Sequence, residues 1–185
     1  MGMDILQEIK EFAGKAHEGQ RRKYSPDPYI VHPIRVMEIC TGYTDELTVL
    51  AAALLHDVLE DTPLTAEELR NFLRPLMGDE KAEKTVRLVI ELSDVYVKKD
   101  FPQFNRRKRK QLEAERMEKI SPEAQLVKYA DILDNSSEIA GDDPSFAGVY
   151  LRECRNLLKK MTKGDPGLRE RTMRLIEEKL SSPGS

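Results

Sequence analysis

The chain holds only three histidines, His17, His32 and His56, and one of them opens the run His56-Asp57-Val58-Leu59-Glu60-Asp61. Four ionisable side chains here interrupt an apolar stretch that begins Val49-Leu50-Ala51-Ala52-Ala53-Leu54-Leu55. Read as one helix turning by about 100° per residue, the run nearly eclipses His56 with Glu60 and Asp57 with Asp61, and gathers all four within about 140° of one face. A buried helix does not carry an imidazole and three carboxylates on one side unless something cationic satisfies them. A divalent metal ion is the economical choice.

A second segment, Leu126-Val127-Lys128-Tyr129-Ala130-Asp131-Ile132-Leu133-Asp134-Asn135, repeats the oddity, with Lys128, Asp131 and Asn135 on one stripe at i, i+3 and i+7. His32, His56, Asp57 and Asp131 would supply two imidazoles and two carboxylates. Nitrogen and oxygen donors without thiolate suit Mn²⁺, Mg²⁺ or Fe²⁺ and admit Zn²⁺. Four protein ligands on an octahedral ion leave room for water and substrate. Such a site lowers the pKa of bound water and polarises a phosphoryl oxygen. Glu60 and Asp61, one turn beyond the ligands, are spaced to take a proton from that water. The chemistry expected is metal-assisted hydrolysis, most naturally of a phosphate ester or anhydride.

Helices must position these groups, because helical periodicity dominates the chain and no convincing alternating strand occurs. A first helix is expected from about Asp4 to His17, with Ile5, Ile9, Phe12, Ala13 and Ala16 on one face and Gly19 as its stop. Residues 20–30 read as a loop rich in charge and turn formers. Pro33 fits the first turn of the next helix, which places His32 at its mouth and ends at Gly42. Thr44 or Asp45 is expected to cap the central apolar helix, which Thr62-Pro63 stops. Thr65-Ala66-Glu67-Glu68 is a capping box. Further helices are expected at about 79–93, 105–119, 122–137, 145–162 and 166–180. Ser121-Pro122 and Asp165-Pro166 each set a cap residue before a helix-starting proline. These features predict one all-α domain over 1–180, of eight or nine helices, followed by a disordered tail over 181–185.

A length of 185 residues suits one domain with a full-sized core. The net charge of −3 argues against general nucleic-acid binding, which usually shows a basic domain. Cys40 and Cys154 form no CxxC pair and read as small buried residues in a reducing compartment. No apolar run approaches the roughly 18–20 residues needed to span a bilayer. The start Met1-Gly2-Met3-Asp4-Ile5-Leu6 lacks the basic and apolar regions of a secretory signal, and Leu6 stands where a myristoylation site wants Ser or Thr. A cytoplasmic protein is expected, with no membrane or nucleic-acid partner, and with a homodimer left open.

His32, the His56-Asp57 doublet and distant Asp131 resemble the HD-domain metal-dependent phosphohydrolases. Four longer blocks narrow the resemblance: Ala16-His17-Glu18-Gly19-Gln20-Arg21-Arg22-Lys23, Pro28-Tyr29-Ile30-Val31-His32-Pro33, His56-Asp57-Val58-Leu59-Glu60-Asp61-Thr62 and Leu126-Val127-Lys128-Tyr129-Ala130-Asp131. In order and spacing they are similar to the hydrolase domain of the RelA/SpoT proteins and their small stand-alone relatives, over about residues 4–162. The resemblance implies a manganese-dependent removal of the 3′-pyrophosphate from guanosine tetra- or pentaphosphate, giving GDP or GTP. It assigns the metal to His32, His56, Asp57 and Asp131, and water activation to Glu60 and Asp61. Arg22 and Lys23 would lie beside the nucleobase and phosphates, and Asn135 would contact the ribose. Arg106 and Tyr150 fall near phosphate-holding positions.

The chain departs from the family at Ile132 and Asp134, where a basic residue and then His or Tyr are usual. The basic run Asn105-Arg106-Arg107-Lys108-Arg109-Lys110 is also unusual for its place, and the synthetase domain of the long members is absent. These differences bear on the substrate and leave the metal chemistry intact. Three alternatives stay open: an HD phosphohydrolase for another nucleotide, such as a nucleoside monophosphate or NADPH; a non-catalytic nucleotide sensor; and a helical interaction module. For single residues, ordinary roles compete with functional ones. His17 reads as a helix C-terminal group complementing the dipole, outside the ligand set. The run Arg106 to Lys110 can pair with Glu113, Glu115 and Glu118 along its own helix.

Overall fold

The central apolar stretch folds as expected into a helix, and it organises the first half of the chain. The computed structural model describes residues 2–23, 25–139 and 144–181, with side chains from residue 5 in the first stretch and from 146 in the last. The chain divides into two compact units, Met1–Ser93 and Asp94–Ser185.

The first unit holds α1 (Gly2–Ala16), α2 (Val31–Thr41), α3 (Leu47–Leu55), α4 (Val58–Asp61), α5 (Ala66–Met77) and α6 (Asp79–Leu92). Every residue of α3 from Thr48 to Leu55 is buried. Three consecutive alanines, Ala51 to Ala53, keep its girth small, so α1, α2 and α6 all pack against it. Full burial of Leu54 and Leu55 stabilises this arrangement by roughly 2 kcal/mol each. Stacking of Phe12 on Phe72, with ring centroids 3.8 Å apart, ties α1 to α5. The capping box predicted at Thr65 and Glu68 is present, and Gly78 turns the chain from α5 into α6 at φ +81°, where glycine is favoured.

The second unit holds α7 (Arg106–Met117), α8 (Pro122–Glu138), α9 (Pro144–Lys160) and α10 (Pro166–Ser181). The caps read at Ser121 and Asp165 form: Ser121 Oγ accepts from the Ala124 N–H and Asp165 Oδ1 from the Leu168 N–H. Fully buried Gln125 fastens three stretches together. Its amide nitrogen donates to the carbonyls of Met117 and Glu118, and its oxygen accepts from the N–H groups of Lys163 and Gly164. Tyr129 donates to the Met161 carbonyl at 2.7 Å. Gly164 sits so close that an added Cβ would lie 2.6 Å from Tyr129 Cε2 and 2.9 Å from the Leu126 nitrogen.

The all-α class is as predicted, and among the described residues the only β-feature is an isolated bridge from Arg21 to Pro28. Some local expectations are corrected. The central helix breaks after Leu55 and resumes as the single turn α4, so that among the described residues the predicted central helix is represented by two of ten helical segments. Its N-cap is Glu46, while Thr44 accepts from the Glu46 N–H just before it. Ser181, expected in the tail, is the last residue of α10, and residues 182–185 of that tail lie outside the described residues, as does Tyr24 of the loop. The basic run of α7 finds other partners than its own glutamates. Arg106 pairs with Glu153 and Lys110 with Asp94, while buried Glu113 accepts from the Val95 and Tyr96 N–H groups and pairs with Arg116.

Candidate metal centre

The break in the central helix shapes the candidate metal centre. His56 follows the last residue of α3, and Asp57 adopts φ −100° and ψ −6°, so the chain leaves the helix between them and re-enters it at Val58. His32 comes from the first turn of α2, ahead of buried Pro33. The three side chains converge, with ligand atoms all within 4.8 Å of one another. Asp57 Oδ2 lies 3.0 Å from His56 Nε2 and 3.8 Å from His32 Nε2, and the imidazole centroids are 5.1 Å apart. Both rings are buried, at 1% and 2% exposure.

The donor chemistry fits a divalent cation. His56 Nδ1 lies 2.8 Å from the Ala53 carbonyl, which can only accept, so Nδ1 carries the proton. In the neutral ring the Nε2 lone pair then faces a carboxylate oxygen at 3.0 Å. Two acceptors at that distance repel unless a cation or a further proton lies between them. A second imidazole aimed at the same oxygen makes a nitrogen and oxygen set suited to a metal ion.

Tyr29 and Asp61 border this trio. The Tyr29 hydroxyl donates to Asp57 Oδ2 at 2.5 Å and lies 3.3 Å from Asp61 Oδ2. Desolvation of the Asp61 carboxyl, and next the Asp57 charge, hold its pKa above the ordinary carboxylate value; the Tyr29 hydrogen bond and the neighbouring His17 and His56 rings pull it down. Glu60 is exposed on the same single turn. Arg22 holds its Cζ 5.8 Å from the Tyr29 ring centroid, and Lys23 is exposed in the loop.

His17 directly follows the last residue of α1, at the helix end expected of it, and is buried there. It is 3% exposed, its ring centroid is 4.7 Å from that of Tyr29, and its Nδ1 is hydrogen-bonded to Gln20 Oε1 at 2.9 Å. It is not among the three residues of the ligand cluster. Tyr29 and Gln20 are the site neighbours that residue-type reasoning passed over. Their signal was their place inside the two blocks that flank Arg22 and His32.

The remaining candidates belong to the second unit. Asp131 is buried at 6% exposure on α8, and the predicted stripe is real: Lys128 Nζ lies 2.9 Å from Asp131 Oδ2 and the Asn135 amide donates to Oδ1 at 2.6 Å. The Tyr150 hydroxyl is pushed well above its ordinary pKa, first by desolvation and then by Cys154 and Asp131. Arg106 is held by Glu153 through two hydrogen bonds of 3.0 and 2.7 Å, with Phe146 at 5.5 Å from its Cζ. Cys40 and Cys154 are free and buried, as expected.

Comparison with known proteins places the chain. The HD domain family model matches residues 29–136. The guanosine-3′,5′-bis(diphosphate) 3′-pyrophosphohydrolase MESH1 of Homo sapiens is 40% identical over 97% of this chain and 94% of its own length. The mouse protein of the same name (Mus musculus) is 35% identical over 97% of this chain and 98% of its own. A solved structure, described as a metazoan orthologue of SpoT that hydrolyses ppGpp and plays a role in starvation responses, superposes with a TM-score of 0.77 at 27% identity and 94% coverage of each chain. With its two buried histidines gathered around a half-buried aspartate, the chain belongs to the HD-domain family.

Proposed function

We propose that this protein is a metal-dependent 3′-pyrophosphohydrolase of guanosine tetra- and pentaphosphate, releasing pyrophosphate and GDP or GTP, with Mn²⁺ as its metal. The observation that carries the proposal is the convergence of buried His32 and His56 on Asp57, beside a carboxylate of raised pKa, in a chain similar over nearly its whole length to a ppGpp hydrolase. Asp131 is the proposed fourth ligand. A bound divalent ion would supply Lewis-acid polarisation of the phosphoryl group and acidify water.

The chain's own residues do the rest. Asp61, with Glu60 beside it, accepts the proton from the attacking water; a raised pKa makes its carboxylate a stronger base than an ordinary aspartate. The water oxygen bonds to the phosphorus on the 3′-oxygen, the bond from that phosphorus to the 3′-oxygen breaks, and the departing oxygen takes up a proton. Arg22 and Lys23 offset substrate charge and pack on the base, Asn135 orients the ribose, and Arg106 and Tyr150 hold phosphate. Arg106 must exchange its Glu153 partner to do so.

A panel of guanosine tetraphosphate, nucleoside monophosphates and NADPH, each with and without Mn²⁺, tests the proposal. Manganese-dependent pyrophosphate from the guanosine substrate, abolished in Asp57→Ala, is the expected result. Orthophosphate from another nucleotide, or tight binding with no turnover, would replace it with a different phosphohydrolase or a sensor.

A further inference from the structure

Gln20 makes four hydrogen bonds around the site, one of them to the backbone carbonyl of Asp61 and none to a proposed metal ligand. Its backbone N–H donates to the His17 carbonyl, and its carbonyl accepts from the Tyr29 N–H, each at 3.0 Å. Its side-chain nitrogen donates to the Asp61 backbone carbonyl at 2.8 Å, across 41 residues of sequence. Its side-chain oxygen therefore accepts, and His17 Nδ1 at 2.9 Å is the donor.

The other ring nitrogen, His17 Nε2, is buried and without a hydrogen-bond partner. Leaving a buried polar atom unsatisfied is costly. The orphaned atom identifies a ring whose retained polar function is its other nitrogen, the one that orients Gln20.

The Asp61 carbonyl is where this orientation matters. α4 is a single turn, too short to be stable alone, and the last carbonyls of any helix lack partners within it. Gln20 supplies one. By its backbone it also fixes Tyr29, whose hydroxyl joins Asp57 to Asp61. We propose that Gln20, oriented by His17, is a positioning residue for the hydrolysis: it clamps the Asp61 carbonyl and the Tyr29 backbone and so sets the reach of both side chains to the Asp57 carboxylate. The proposal rests on the functional reading above.

The test compares wild type with Gln20→Glu, His17→Ala and His17→Asn. Glutamate keeps the shape of Gln20 and an acceptor for His17 but has no N–H for the Asp61 carbonyl. Asparagine places an amide N–H where His17 has Nδ1; alanine does not. Two readouts are taken: kcat and KM for guanosine tetraphosphate with Mn²⁺, and amide hydrogen exchange of residues 58–62 without substrate. Loss of one such hydrogen bond is expected to lower kcat by about tenfold in Gln20→Glu and His17→Ala. KM should stay within about twofold, and exchange at 58–62 should quicken. His17→Asn should recover most of both.

Wild-type kcat and exchange in Gln20→Glu would overturn the proposal. So would a His17→Asn variant no better than His17→Ala, since the ring itself would then be required. A wild type inert toward guanosine tetraphosphate would sink the functional reading alone; exchange at 58–62 would still decide the clamp.

Discussion

Replacing Tyr29 with phenylalanine removes one oxygen and leaves the ring that packs near Arg22 and His17. The lost hydrogen bond is the 2.5 Å contact to Asp57 Oδ2, the carboxylate oxygen that also faces both imidazoles. At that length it is charge-assisted, a class worth about 1.5–3 kcal/mol. If the stabilisation is realised in the transition state, kcat/KM should fall by roughly 10- to 100-fold. Asp61 gives a second signature. Its pKa already stands above the ordinary value through desolvation and the Asp57 charge, and the Tyr29 hydroxyl is one of the groups pulling it down. Without that hydroxyl the carboxylate protonates at higher pH. A general base must be deprotonated to act, so the acid limb of the kcat profile moves to higher pH. The assay is pyrophosphate release from guanosine tetraphosphate at saturating Mn²⁺ across about pH 5–9, with bound metal quantified in both proteins. An unchanged kcat/KM, or an acid limb that stays or moves to lower pH at equal metal content, would refute the reasoning.

Three further expectations concern stability. Thr65→Ala opens the capping box of α5 and should cost about 1 kcal/mol in urea unfolding, with kcat untouched. Gly164→Ala forces a methyl group against the Tyr129 ring and the Leu126 nitrogen; a loss on the order of 3 kcal/mol is expected, and a melting temperature equal to wild type would show that the α9–α10 connection yields freely. Burial pushes the Cys40 and Cys154 thiols up to about 12. Below an unfolded thiol pKa of about 8.5 they contribute their full stabilisation; it is lost as pH rises from there toward 12, because only the unfolded chain can ionise them. The urea midpoint should therefore fall between about pH 8 and 10, less so when both residues are alanine, and a thiol reagent at neutral pH should label neither cysteine until the chain unfolds.

What was legible in the sequence was mostly local. The cap at Thr65 and Glu68, and those at Ser121 and Asp165, need only residues three apart, and all three form. The trio His32, His56 and Asp57 was legible because buried polar groups stand out against an apolar run, and the Lys128, Asp131 and Asn135 stripe because helical spacing fixes it. The break at His56-Asp57 was not legible, since helical periodicity passes through it without a glycine or proline. It depends on the backbone of Asp57 and the bond from His56 to the Ala53 carbonyl. The burial of His17 was not legible either: a helix C-terminus can be read from spacing, but the contacts that Tyr29 and Gln20 make with its ring cannot. Glu113 likewise bonds the Val95 and Tyr96 backbone, 18 and 17 residues away, instead of its own helix's basic run.

Gln125 bears on how far the polypeptide can be shortened. The HD match ends at residue 136, yet Gln125 on α8 is fastened to the N–H groups of Lys163 and Gly164, and Tyr129 beside it to the Met161 carbonyl. At the other end the match begins at residue 29, after Gln20, which holds the Asp61 carbonyl. A polypeptide trimmed to 29–136 would keep all four proposed metal ligands and lose the groups that hold their helices in place. The ligands are a short motif; the hydrogen bonds that brace their helices reach back to Gln20 in the first unit and forward to Lys163 and Gly164 in the second.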